Sequence, residues 1–308
     1  MNLLFLGVSS FTGYHFVNEI SKIKSIKIYC TLTKNLKDYD SIRLSRINLI
    51  KKKTNIKLIL KTKFGDKKFI KLISDIKFNT VCLHHALTKN YNDDIKFDLK
   101  KSLNVNLPNI DKVFKKINEN SLLVISNTVF QKIKKKNYAP LNKYGISKTL
   151  TYEKIKKYCN KYNLRYKSVY ITNPWGLFEE KKLNYFLIEG WLKNKKISIS
   201  YPRYIRDNIF IEKLSQVYSK IIKSKSKKID YFPSGYCCSN KEFIEAFKKK
   251  FEKFFNIKVE VDYLFKTKHT QPIKRVNGLK IKKKIIIKEN LNKYFEYYKK
   301  IFIKKQVK

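Results

Sequence analysis

Short apolar runs alternate with longer stretches of helical period through the first half of the chain. Residues 3–7, 26–32, 56–60, 80–83, 122–126 and 167–171 read as buried strands, because each is brief, apolar and bounded by polar or turn residues. Between them the spacing predicts helices, most clearly over 11–23, 102–117 and 144–162. Strands alternating with helices imply βαβ units and a parallel sheet. The second half is more mixed, with helices predicted over 184–193, 212–223, 240–255 and 289–302. No Gly/Ser linker separates the two halves. The expectation is an α/β protein with a doubly wound parallel sheet over residues 1–172 and a smaller mixed α/β lobe over 173–308, some segments interleaving.

Composition narrows this. Of 308 residues, 43% are hydrophobic, enough for a sizeable core. No run of about 18 apolar residues occurs, so no membrane span is expected. The opening MNLLFLGVSS lacks a basic n-region and a small-residue cleavage site, and reads as a buried strand followed by a turn. The net charge of +46 would ordinarily suggest nucleic acid. Only six of the 70 basic residues are arginines, however, and base readout favours arginine. The lysines are spread along the whole chain, as a solvated coat that attracts anionic ligands without specific nucleic-acid recognition. Cys30, Cys82, Cys159, Cys237 and Cys238 are odd in number and form no CxxC pair, which argues against a disulfide framework and a zinc site. A reducing, cytoplasmic compartment and no metal are expected.

The first strand runs into Gly7-Val8-Ser9-Ser10-Phe11-Thr12-Gly13, and two of the chain's eight glycines lie in this turn. It resembles the GxxGxxG turn of the short-chain dehydrogenase/reductase superfamily, with Ser10 at the middle glycine. Small residues let the backbone approach a pyrophosphate, and the helix that follows points its N-terminus at the negative charge. An ordinary strand-to-helix turn is the other reading of the segment. The second strand ends Thr31-Leu32-Thr33-Lys34, with no acid before Asp38. An acid there would bind the ribose 2′-hydroxyl; its absence, with Lys34 available for a 2′-phosphate, favours NADP over NAD.

A YxxxK pair puts a phenol and an ammonium on one helix face, and it occurs at Tyr144/Lys148 and at Tyr152/Lys156. Context selects the first. Pro140-Leu141-Asn142-Lys143-Tyr144-Gly145-Ile146-Ser147-Lys148 resembles the PxxxYGxSK segment of the extended short-chain dehydrogenase/reductases. Ser126-Asn127-Thr128-Val129-Phe130 resembles their SSxxVY element, Asn104-Val105-Asn106 their NVxGT segment and Asn173-Pro174-Trp175-Gly176 their NPYG turn. Arg206 to Glu212 resembles RDxxxVxD, Ser234-Gly235 the later SG turn and Pro272 to Asn277 the EPxxRxN stretch. Pro108 stands where a threonine is usual, and Tyr170 where an arginine is.

The resemblance, in the family's order along the chain, implies the NAD-dependent epimerase/dehydratase family: a Rossmann-type domain and a nucleotide-linked sugar as substrate. It implies that Tyr144 exchanges a proton with a sugar oxygen while Lys148 and the cofactor's charge favour the phenolate. It further implies that Ser126 orients that oxygen, that Asn104 supports the helix and a water near Lys148, and that Asn173 binds substrate. Gly7, Ser10, Phe11, Thr12, Gly13, Lys34, His85 and Ala86, with Tyr144 and Lys148, would hold the cofactor. His84 and His85 lie at the HxAA-like segment, as cofactor-lining or packing residues. Arg206 and Arg275 suit a diphosphate, whose geometry a guanidinium matches bidentately, or structural ion pairs. Trp175 and the aromatic C-terminal helix read as core. Dehydratases carry an Asp-Glu pair where this chain has Asn127 and Thr128. A reductase of a 4-keto nucleotide sugar is therefore the first expectation, a 4-epimerase with tightly held NAD the second, and an inactive nucleotide-binding relative the third. Assembly as a homodimer is compatible with all three.

Overall fold

The computed structural model describes residues 1–266 and 268–303. From the N-terminus the chain runs β1 (Asn2–Leu6), α1 (Phe11–Ile20), β2 (Lys27–Thr31), α2 (Ser41–Lys51), β3 (Ile56–Ile59), α3 (Lys67–Asp75) and β4 (Thr80–Leu83). It continues through α4 (Leu99–Asn106), α5 (Ile110–Lys116), β5 (Leu122–Thr128), α6 (Lys143–Lys161) and β6 (Arg165–Ile171). Then follow β7 (Asn173–Trp175), α7 (Leu183–Leu192), β8 (Ile197–Ile199), β9 (Ile205–Phe210), α8 (Ile211–Lys223) and β10 (Asp230–Tyr231). The chain ends β11 (Tyr236–Ser239), α9 (Asn240–Phe255), β12 (Val261–Tyr263), β13 (Lys274–Arg275) and α10 (Asn292–Ile303).

Two compact units result: Met1–Ile171 with Ser215–Phe232, and Thr172–Leu214 with Pro233–Lys308. The first unit holds a seven-stranded sheet in the order β10-β6-β5-β4-β1-β2-β3. All six neighbouring pairs are parallel, as the βαβ pattern predicts. Leu3, Leu4 and Phe5 of central β1 are fully buried, which explains their continuous apolar run.

The helix expected over 102–117 is two helices. Pro108 has no N–H to donate and disfavours helical geometry at Leu107, so α4 stops at Asn106. Asn109 then takes left-handed geometry (φ 50°) and starts α5. The last helix begins at Asn292 rather than 289.

The second unit has a sheet ordered β11-β9-β13, with β7 paired to β9, and a separate parallel pair β8–β12. Its core is aromatic: Trp191, Phe243, Phe247, Phe251 and Phe295 are almost completely buried, and Trp175 lies among them. Fully buried Asp207 organises the sheet. Its carboxylate accepts the backbone N–H groups of Gly235 (2.7 Å), Asn277 (3.1 Å) and Gly278 (2.9 Å). Three sequence segments far apart in the chain thus meet on one side chain. All five cysteines are buried, and none is joined in a disulfide. Among the described residues, no helix is long and apolar enough to cross a membrane.

Candidate active site

The turn from β1 to α1 is built by its smallest residues. Gly7 takes φ +88°, and a Cβ on Gly13 would lie 2.2 Å from the Gly7 carbonyl oxygen, so the two segments close only without that carbon. Ser10 caps α1: its hydroxyl donates to the Gly7 carbonyl (2.8 Å) and accepts from the Gly13 N–H (3.1 Å). Ser10 therefore does more than fit where a glycine is usual. It fixes the turn, and the α1 N-terminus supplies the positive end of a helix dipole.

Arg46 of α2, which the hydrophobic pattern did not single out, is fully buried. Its guanidinium donates to the Ser9 carbonyl (3.1 Å) and lies over the Phe11 ring. An arginine in a lysine-dominated chain was the available signal. Lys34, by contrast, is exposed.

Across the sheet, α6 is placed by Asn142, whose side chain accepts from the Gly145 N–H (2.9 Å). A Cβ on Gly145 would lie 2.1 Å from the Phe130 carbonyl oxygen, which accounts for a glycine in that segment. Buried Lys148 donates to the backbone carbonyl of Ser126 (2.7 Å). Burial lowers its pKa from 10.5 to about 8. Tyr144 is half-buried, its ring against Tyr91, Phe97 and Phe130. Burial, reinforced by Tyr91, holds its phenol above the ordinary value rather than below it. The aromatic surroundings are a low-dielectric cage that penalises the phenolate.

Ser126 is buried and accepts or donates one bond with His84, Nδ1 to Oγ at 2.7 Å; the Tyr218 hydroxyl stands 3.5 Å away. His84 Nε2 in turn meets the Thr12 hydroxyl at 2.9 Å. The turn residue Thr12 and the strand residue Ser126 are thus joined through one imidazole. His85 stacks on Phe64 (4.7 Å) and its Nε2 bonds the Asn106 carbonyl (3.1 Å), while its buried Nδ1 has no partner among the described residues. Ala86 beside it is half-buried.

Asn104 requires a correction. It is exposed, and the helix-supporting part falls to buried Asn106. Asn106 accepts from the Leu87 N–H (3.1 Å) and donates towards Ser102 and Thr151 (both 3.4 Å), so it ties α4 to α6 and to the segment after β4. The 3.6-residue turn carries position 104 to the opposite side of α4 from the buried Ser102 and Asn106.

In the second unit, Arg206 and Arg275 are partners in the parallel β9–β13 register, and Asn173 pairs with Asn208. Arg206 donates to the carbonyls of Ile205, Pro272 and Ile273 and to Gln271 Oε1, with its guanidinium over Tyr204. Arg275 is buried.

No protein-family model and no curated protein matches the sequence. Solved structures do match in fold. UDP-glucuronic acid 4-epimerase from Bacillus cereus, in complex with UDP-glucuronic acid and NAD, is 15% identical at a TM-score of 0.76, over 98% of this chain and 100% of that one. dTDP-glucose 4,6-dehydratase from Bacillus anthracis, in complex with NAD, is 16% identical at 0.72, over 97% of each chain. UDP-N-acetylglucosamine 4-epimerase from Methanobrevibacter ruminantium is 18% identical at 0.63, over 99% of this chain and 98% of that one. The parallel sheet, the smaller mixed unit and these full-length likenesses agree: the chain has a Rossmann-type α/β fold, shared with these solved enzymes.

Proposed function

We propose that this protein is an NAD(P)-dependent oxidoreductase that reduces a 4-keto group on a nucleotide-linked sugar, with Tyr144 as proton donor. The observation that carries this reading is the junction of Thr12, His84, Ser126 and Lys148, which ties the glycine turn to the segment bearing Tyr144. The residues fit a dinucleotide: the Gly7–Gly13 cradle admits no added Cβ, and buried His85 Nδ1, bare because Nε2–H donates to the Asn106 carbonyl, can accept a bond. Ser10, Phe11 and Thr12 would complete the pyrophosphate site, with His85 and Ala86 beside the cofactor. When bound, the nicotinamide supplies the hydride.

The chain's own residues supply the rest. A phenol held above its ordinary pKa stays protonated at neutral pH, which is the state a proton donor needs. The oxidative direction needs a phenolate, and lowering a pKa by about 3 units takes on the order of 4 kcal/mol. Lys148 is charged below about pH 8 and stabilises the phenolate left after proton transfer. Ser126 orients the substrate oxygen. Arg206 and Arg275 are proposed for the diphosphate, with Asn173 as a further substrate contact. Asn127 and Thr128 offer no carboxyl for eliminating water.

The missing acid after β2 supports NADP, with Lys34 as partner of a 2′-phosphate. The NAD-bound Bacillus cereus 4-epimerase favours a second reading, a 4-epimerase holding NAD tightly. Mass spectrometry of ligand retained on the purified protein, then turnover of a panel of nucleotide 4-keto sugars with NADPH and NADH, separates them. Reduction with NADPH supports the reductase. Co-purified NAD with interconversion of 4-epimers replaces it with the epimerase.

A further inference from the structure

The contact between Thr12, His84 and Ser126 carries directional information. His84 lies within ring-contact distance of Phe5 (5.6 Å) and Phe16 (5.3 Å). Burial, with Lys148 and His85 nearby, pushes its pKa to about 3, so the imidazole is neutral at any pH where the protein works. A neutral imidazole has one N–H and one bare nitrogen. Both nitrogens are engaged, Nε2 with Thr12 Oγ1 at 2.9 Å and Nδ1 with Ser126 Oγ at 2.7 Å. The two bonds must therefore run in the same direction along the chain of groups.

Only two arrangements exist. In one, Ser126 gives its proton to Nδ1, and Nε2–H donates to Thr12. In the other, Thr12 gives its proton to Nε2, and Nδ1–H donates to Ser126. A substrate carbonyl has lone pairs and no proton, so a serine that orients it must donate. Ser126 keeps its proton for that purpose only in the second arrangement. Lys148 does not alter the choice, since it bonds the Ser126 backbone oxygen and leaves Oγ alone. The Tyr218 hydroxyl, 3.5 Å from Oγ, reaches the same oxygen as a weak donor and is compatible with it.

We propose that Thr12 and His84 are positioning residues that hold the Nδ1–H tautomer and so leave the Ser126 proton free for the substrate oxygen. The part concerning substrate rests on the function proposed above; the tautomer does not. Thr12 would then serve twice, as part of the phosphate turn through its backbone and as the tautomer-setting donor through its side chain.

The test is ¹⁵N-histidine NMR of the full-length protein, which has only four histidines to assign. His84→Asn identifies the resonance. The expected spectrum near neutral pH shows a protonated Nδ1 and a bare Nε2 for His84. A protonated Nε2 would overturn the proposal. Thr12→Val removes the hydroxyl at nearly constant shape. It should abolish the tautomer preference and lower kcat about tenfold, the scale of one lost hydrogen bond, while cofactor Kd and substrate KM change little. Thr12→Ser should restore both tautomer and rate. An unchanged tautomer in Thr12→Val would also overturn it. Because the spectrum is recorded without substrate, inactivity on every 4-keto sugar would count against the function alone.

Discussion

The ammonium of Lys148 donates to the backbone carbonyl of Ser126 across 2.7 Å, inside a site with almost no exposure for the lysine. That bond holds α6 against β5, and it does so with a buried charge. Burying a charge costs stability that one neutral acceptor only partly offsets. The role proposed for this residue and the stability of the fold therefore pull in opposite directions.

Lys148→Met should separate them. The folded-state pKa of about 8 lies below the ordinary 10.5, so the unfolded chain binds the proton more tightly. The penalty is fully present below about pH 8, and stability is regained as pH rises from there towards 10.5. A shift of this size corresponds to about 3 kcal/mol. The variant should unfold at a higher temperature than the wild type near neutral pH. The difference should shrink towards pH 10 in calorimetry, while turnover is lost. A gap that widens with pH would contradict a lowered pKa.

Tyr144→Phe keeps a ring against Tyr91, Phe97 and Phe130 and removes only the hydroxyl. Thermal stability should hold, and kcat should fall at least about 100-fold, the lower range for a positioned acid. Tyr152→Phe, two helical turns on and facing Tyr170, should leave kcat nearly unchanged. Steady-state kinetics of the pair decide whether the site is centred on the right tyrosine.

Gly13→Ala places a carbon 2.2 Å from the Gly7 carbonyl, a backbone group that cannot rotate away. The turn must open. Dinucleotide affinity, followed by fluorescence titration of NADPH, should drop by more than about tenfold, the equivalent of 1.4 kcal/mol. Retained affinity would argue that the turn is only a connection.

Asp207→Asn converts one accepting oxygen into a donor facing backbone N–H groups. At least one of the three bonds to Gly235, Asn277 and Gly278 is lost in a buried setting. The cost should be about 1–3 kcal/mol in denaturant unfolding.

The lysine coat should bind DNA weakly, with no sequence preference. Affinity should fall steeply and linearly in log–log form as salt is raised, because counterion release drives it. Sequence-selective retention at physiological salt would require a second function.

The parallel sheet was legible from strands such as β1 and β4, nearly continuous apolar runs that mark burial on both faces, whereas the two-residue edge strand β10 (Asp230–Tyr231) carries no such run. The glycine turn, Tyr144, Lys148 and Ser126 were legible as spaced motifs. What was not legible depends on which way a side chain points. Asn104 and Asn106 are both asparagines in one short helix, and only the position of α4 against α6 makes Asn106 the buried one. Arg46 sits in a helix of ordinary polar appearance, and its burial follows from the approach of α2 to the β1–α1 turn. Lys34 is exposed, and only its place after β2 distinguishes it from the chain's many other lysines. The raised phenol of Tyr144 follows from Tyr91 and Phe97, which belong to a segment between β4 and α4 without any motif of its own.

The chain passes from one unit to the other after Ile171, back after Leu214, and out again after Phe232. Neither unit is therefore a single stretch of gene. A nascent chain that has just completed β6 exposes the edge on which β10 later pairs, and it lacks Tyr218, which stacks on Phe16 at 4.0 Å. Such an open edge invites pairing with other chains. On the ribosome the unit with the seven-stranded sheet must wait for part of the following half before that sheet is finished. Recombination faces the same constraint: a new second unit cannot be acquired through one crossover after Ile171, because that cut also removes the last strand of the sheet it is meant to preserve.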